Sequence, residues 1–83
     1  MRIAVDISLY PLSEDYLPAI DDVIARINQW PDLDVQTNRL STQVVGEYDQ
    51  VMDMLKAEMK PTFEREHQSI FVAKFLRADA LGE

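Results

Sequence analysis

The chain has 83 residues, 47% of them hydrophobic and 28% charged, and its 15 Asp and Glu against 8 Lys and Arg give a formal net charge of −7. That length supports one domain, and such a chain buries only about 60% of the surface its unfolded form exposes, so self-association would supplement a thin core. The acidic balance repels phosphate backbones and anionic headgroups, which weighs against nucleic acid and membrane partners, and the lack of cysteine excludes disulfides, thiolate metal sites and cysteine nucleophiles.

Ile3, Val5, Ile7 and Leu9 alternate with Ala4, Asp6, Ser8 and Tyr10, the period of a half-buried strand, and Pro11 is expected to stop it. Ser13 followed by Glu14 and Asp15 predicts an N-cap and an acidic first turn. Leu17, Ile20, Ile24 and Ile27 then recur at helical steps, and Pro31 closes this helix near Trp30. Strand character from Asp34 to Asn38 and from Ser41 to Val45 predicts a hairpin that reverses over Asn38, Arg39 and Leu40. Gly46 is expected to end its second strand at a positive φ or a close approach.

Val51, Met52, Leu55 and Met59 mark a second helix from near Tyr48 to Met59 or Lys60, limited by Pro61 unless that proline opens a further turn through Phe63 to Glu66. Met52, Met54 and Met59 read as apolar filler. Ser69 to Leu76 predicts a last strand with Ile70, Val72 and Leu76 on one side and Phe71, Ala73 and Phe75 on the other. The tail from Ala78 to Glu83 is expected to be loose. The start runs directly into a strand, and no apolar run approaches the ~18 residues of a membrane span, so a cytoplasmic location is expected.

The order β-α-β-β-α-β predicts a single α+β domain over residues 1–83, a ferredoxin-like sandwich with two helices on one face of a four-stranded antiparallel sheet. The other face is left bare. With the last strand apolar on both sides, two Phe are expected on the bare face, which a second copy would cover through sheet faces or edges.

The run from Thr37 to Asp49 is the candidate functional segment. It gathers hydroxyl and amide groups where a purely structural strand favours Val, Ile or a charge, and such a surface suits a small polar ligand. Catalytic arrangements are poorly supported. Gly46 and Gly82 are the only glycines, so there is no phosphate-binding glycine loop, and His67, beside Glu64 and Glu66, is the only histidine and reads as an exposed polar residue. Asp6 and Glu47 could form an acid–base pair, but nothing in the sequence pushes their pKa values apart.

Ile7-Ser8-Leu9-Tyr10-Pro11-Leu12, Thr37-Asn38 with Ser41-Thr42-Gln43, and Gly46-Glu47-Tyr48-Asp49, set in that element order, resemble the small thiamine-binding protein family, long described only as conserved proteins of unknown function. The resemblance spans nearly the whole chain. It implies a ferredoxin-like fold, dimers that pair into tetramers through their sheets, and binding of thiamine or its hydroxymethylpyrimidine moiety without catalysis, cofactor or metal. Ser8, Tyr10, Thr37, Asn38, Ser41, Thr42 and Gln43 are the residues that match motif positions. Arg39-Leu40 departs from the family pattern, in which a glycine and a medium apolar residue are commoner.

The residues agree in kind with such a ligand. Ser, Thr, Asn and Gln can meet the ring acceptors and exocyclic amine of an aminopyrimidine, Tyr10 or Phe71 could stack on the ring, and Asp6 and Glu47 are candidate partners for the amine or for a thiazolium cation. The shortage of Arg and Lys near the motif weighs against phosphorylated ligands. Two rivals stand beside this reading: a regulatory or protein-interaction module of the same fold with no small-molecule site, and a small ferredoxin-like enzyme acting on an aromatic substrate.

Overall fold

Alternation along the first strand decides the layout. In the computed structural model, which describes residues 1–66 and 68–81, β1 (Arg2–Pro11) buries Ile3, Val5 and Ile7. It is followed by α1 (Leu17–Ile27), β2 (Asp34–Thr37), β3 (Thr42–Glu47), α2 (Tyr48–Arg65), β4 (Ser69–Arg77) and a 3-10 turn at Ala78–Leu81. The four strands form one antiparallel sheet in the order β2-β3-β1-β4, with both helices on one face, as the ferredoxin-like expectation requires. Val5, Val44, Val51, Met54 and Ile27 are the most deeply buried side chains between the layers. No helix among the described residues is long and apolar enough to cross a membrane.

Several boundaries differ from expectation for physical reasons. Pro11 stays in β1 opposite Ser69, because pairing with β3 has already ended at Ile7 and a missing N–H is tolerated as at a sheet edge. Helix α1 begins at Leu17 with no side-chain cap, and Ser13 lies outside it. A start at Ser13 would place Pro18 in the helix interior, whereas a start at Leu17 puts it in the first turn, where its absent N–H is not needed. The helix stops at Ile27, and the chain tightens through N–H bonds from Gln29 to the Arg26 carbonyl and from Trp30 to that of Ile27.

Gly46 does not end β3. It pairs with Ile3 inside the strand at an ordinary φ, and its role is close approach, since a Cβ there would run into the Leu33 side chain and lie 3.4 Å from Val51. Helix α2 continues through Pro61 to Arg65. Its buried seam is Val51, Met54, Leu55 and Thr62, while Met52 points outward. Beyond the core, Ala78 is buried at the start of the 3-10 turn, so the tail is held there rather than loose; Gly82 and Glu83, like His67, lie outside the described residues.

The pairing of β4 with β1 corrects the side given to the aromatics. Phe71 and Phe75 stand opposite Leu9 and Val5, which places them on the helix side. The bare face carries Ile70, Val72 and Leu76 instead, 48%, 46% and 50% exposed.

Arg26 ties the two helices together. Its guanidinium donates to Asp22 Oδ2 (3.1 Å), to the backbone carbonyl (3.0 Å) and Oε1 (2.8 Å) of Glu58, and to Thr62 Oγ1 (2.8 Å), while Trp30 Nε1 donates to Glu58 Oε2 (2.7 Å). The carbonyl that Pro61 leaves without a helical N–H is that of Ala57, four residues back, and the Arg26 contact to the adjacent Glu58 carbonyl adds a tie between the helices in the same turn. With the Arg26 and Glu58 side chains 19% and 15% exposed, Arg26→Ala leaves a largely buried carboxylate with only its Trp30 partner. The expected loss is about 2–3 kcal/mol of stability, read in urea as a lower midpoint with an unchanged slope.

Glu47 is the N-cap of α2. Its carboxylate accepts from the backbone N–H groups of Tyr48 and Asp49 and from the N-terminal ammonium, and the Tyr48 bond, followed by that ammonium, holds its pKa below the ordinary glutamate value. A lowered folded pKa means stabilisation that is present above the unfolded value and lost as pH falls through the folded one. Glu47→Gln should therefore melt lower than the parent protein at neutral pH, with the difference shrinking on acidification below the ordinary glutamate range; melting curves across pH measure it.

Candidate functional site

The β2–β3 hairpin is held at its tip by two residues of the motif. Asn38 Oδ1 accepts from the backbone N–H groups of Leu40 (2.8 Å) and Ser41 (3.0 Å), and the Asn38 N–H donates to the Ser41 carbonyl (2.9 Å). This side-chain-built turn suits Asn, whose short carboxamide reaches its own downstream backbone. Ser8 Oγ donates to the Leu40 carbonyl at 3.3 Å and anchors the tip to β1. Asn38 and Ser8 thus spend hydrogen-bonding capacity on placing residues 38–41, and Leu40 stands 87% exposed at the tip.

The remaining motif residues divide by strand face, because side chains alternate along each strand. Thr37 and Thr42 are paired across the hairpin and face the helices; their hydroxyl oxygens are 3.1 Å apart, and Thr42 is buried. Asp6, Ser8 and Tyr10 lie on the bare side of β1, with Asp6 opposite Gln43 on β3 and Lys74 on β4. One carboxylate oxygen of Asp6 is enclosed with no hydrogen-bond partner among the described residues. Glu47 is not brought to either group: it sits at the far end of β3, opposite Arg2.

Each side has a cavity. On the helix side, a cavity of about 450 Å³ opens between α1, the end of β1 and the hairpin. Ile7, Leu9, Ile20, Val23, Ile24, Ile27 and Phe71 give it apolar walls, and Thr37, Asn38, Ser41 and Thr42 form its polar end. Phe71 is braced by Phe63, whose ring meets it edge to face at 5.2 Å. On the bare side, a concavity of about 400 Å³ is bordered by Asp6, Ser8, Tyr10, Asn38, Ser41, Gln43 and Lys74. Ser8, Tyr10, Asn38, Leu40 and Ser41 border both, so the hairpin tip is the rim that the two share.

Sequence reasoning missed the contribution of α1. Ile20 and Ile24 recur at core spacing, yet they are only partly buried because the sheet stands off from that stretch of helix and leaves the cavity. Tyr16 and Leu12, exposed in the segment before α1, complete its mouth. A pair of aromatic and apolar residues outside any periodic element was the available signal. Among the described residues no group of three His, Cys, Asp or Glu side chains is placed to hold a metal.

The profile of the YKOF-related family matches residues 2–77 of the chain. No curated protein sequence matches it. Among solved structures, it is similar to a protein of Thermotoga maritima named for a proposed role in thiamine biosynthesis or salvage, at 23% identity and a TM-score of 0.81, over 90% of this chain and 82% of the other. A Streptococcus pneumoniae protein superposes over the whole of both chains with a TM-score of 0.82 at 20% identity. A hypothetical protein of Methanocaldococcus jannaschii gives 0.79 at 18% identity, over 90% of this chain and 78% of its own. At such identities the likeness establishes the shared fold.

Proposed function

The chain belongs to the YKOF-related family, and on that premise we propose that it binds thiamine or its hydroxymethylpyrimidine moiety without catalysis, as a carrier, buffer or sensor in the cytoplasm. The helix-side cavity carries this reading. Its volume of about 450 Å³ falls in the range of small-molecule sites, and its chemistry is that of a slot for a flat heteroaromatic ring. Isoleucine and phenylalanine side chains would cover the ring faces, while the Thr37 and Thr42 hydroxyls, which satisfy only one bond between them, retain capacity for ring nitrogens or an exocyclic amine. The thiamine role proposed for the Thermotoga maritima relative supports the choice of ligand.

A homo-oligomer is part of the same proposal. Ile70, Val72 and Leu76 are exposed on the bare face in one row of β4, with Lys74 between Val72 and Leu76 and Asp6 opposite Lys74 on β1. A second copy, possessing the same row and both charges, is the occupant whose chemistry matches, and a small chain gains core by such pairing. Val72→Lys would put a second positive charge beside Lys74 in that row; sedimentation is expected to shift from an assembly to a single chain, with the far-ultraviolet spectrum retained.

Calorimetric and thermal-shift titrations with thiamine and hydroxymethylpyrimidine, with unrelated pyrimidines as controls, test the ligand assignment. Saturable binding is expected, with about 2.7 kcal/mol of added stability at 100 times the dissociation constant. Thr42→Val, which keeps the shape and removes the hydroxyl, should weaken binding by roughly 1–2 kcal/mol. Absence of heat and of any shift at millimolar ligand would return the chain to the interaction-module reading.

A further inference from the structure

Among the described residues, Arg39 is the only charged one that lines the helix-side cavity, and no Asp, Glu or Lys joins it there. Its position is fixed, since the Asn38 carboxamide and the Ser8 hydroxyl hold the backbone on either side of it. Its guanidinium makes no hydrogen bond or ion pair among the described residues, unlike Arg26, Arg65 and Arg77, each of which is engaged with a carboxylate. The scarcity of basic residues in the motif pointed away from phosphates, but the fold places this one cation on the rim.

We propose that Arg39 makes the cavity selective for a phosphate monoester of the heteroaromatic alcohol over the free alcohol. The inference rests on the ring-binding reading of the same cavity. With the ring between the apolar walls and its polar edge at the threonine pair, a phosphorylated arm that reaches the hairpin meets a planar donor fork matched to phosphate oxygens. The net charge of −7 opposes any anion at long range, so the selectivity has to come from this short-range pair, and added salt screens the distant charges more than it does the contact.

The test is a calorimetric comparison of hydroxymethylpyrimidine with its phosphate, and of thiamine with thiamine monophosphate, on the parent protein, Arg39→Gln and Arg39→Lys. In each pair the ester is expected to bind about tenfold more tightly than the alcohol on the parent protein, which is about 1.4 kcal/mol. That ratio should collapse to near one in Arg39→Gln and partly persist in Arg39→Lys, which keeps the charge without the fork. Equal affinities for alcohol and ester on the parent protein, or a preference that survives Arg39→Gln, overturns the role of Arg39 and leaves the ring site standing. Binding of neither member of a pair removes the ring-binding reading and this inference with it.

Discussion

The guanidinium of Arg26 sets the geometry on which the rest of the molecule depends. By reaching Asp22 on its own helix and Glu58 and Thr62 on α2, it fixes how α1 is rotated about its axis as well as how close it lies to α2. With that rotation set, Val23 and Ile27 face the core, and Ile20 and Ile24 are presented to the open end of the sheet. A helix free to roll by one residue, about 100° in an ideal helix, would close the cavity with a different side chain. The same side chain also reaches the Glu58 carbonyl in the turn before Pro61, so α1 is tied to the backbone of α2 as well as to its side chains.

The hairpin motif does two kinds of work that a linear reading merges. Asn38 and Ser8 are turned inward on the backbone and hold the tip in place. Thr37 and Thr42 face the helix-side cavity, whereas Gln43, with Asp6, faces away from it across the sheet. Polar residues adjacent in sequence therefore serve opposite surfaces, because a strand sends neighbouring side chains to opposite sides. The shared rim means that a change at the hairpin tip is felt on both.

One face of the sheet is covered by helices and the other by none of the described residues, and the two surfaces are chemically different. The covered side is apolar with a small polar end, suited to enclosing a flat ring. The uncovered side mixes apolar side chains on β4 with charges on β1 and β4, including an enclosed carboxylate oxygen on Asp6 without a partner among the described residues. An arrangement of that kind suits another protein surface better than water, since the apolar side chains lose by remaining wet and the charges can be matched across a contact.

The order of elements, the location of the hairpin and the motif residues at its tip were determined by the sequence alone, because periods of two and of 3.6 residues and the turn chemistry of Asn are local properties. So was the grouping of Phe71 with Phe75 and of Ile70 with Val72. Which group faced the helices was decided only when β4 paired with β1, since alternation defines two sides but does not label them. The role of Glu47 depended on Met1 lying beside α2, and the tie between the helices joined Arg26 to Glu58, 32 residues further along the chain. The half-exposed state of Ile20 and Ile24, and with it the cavity, followed from how far one layer stands from another. Such features arise from contacts between segments distant in the chain, and no local pattern of residue types encodes a distance of that kind.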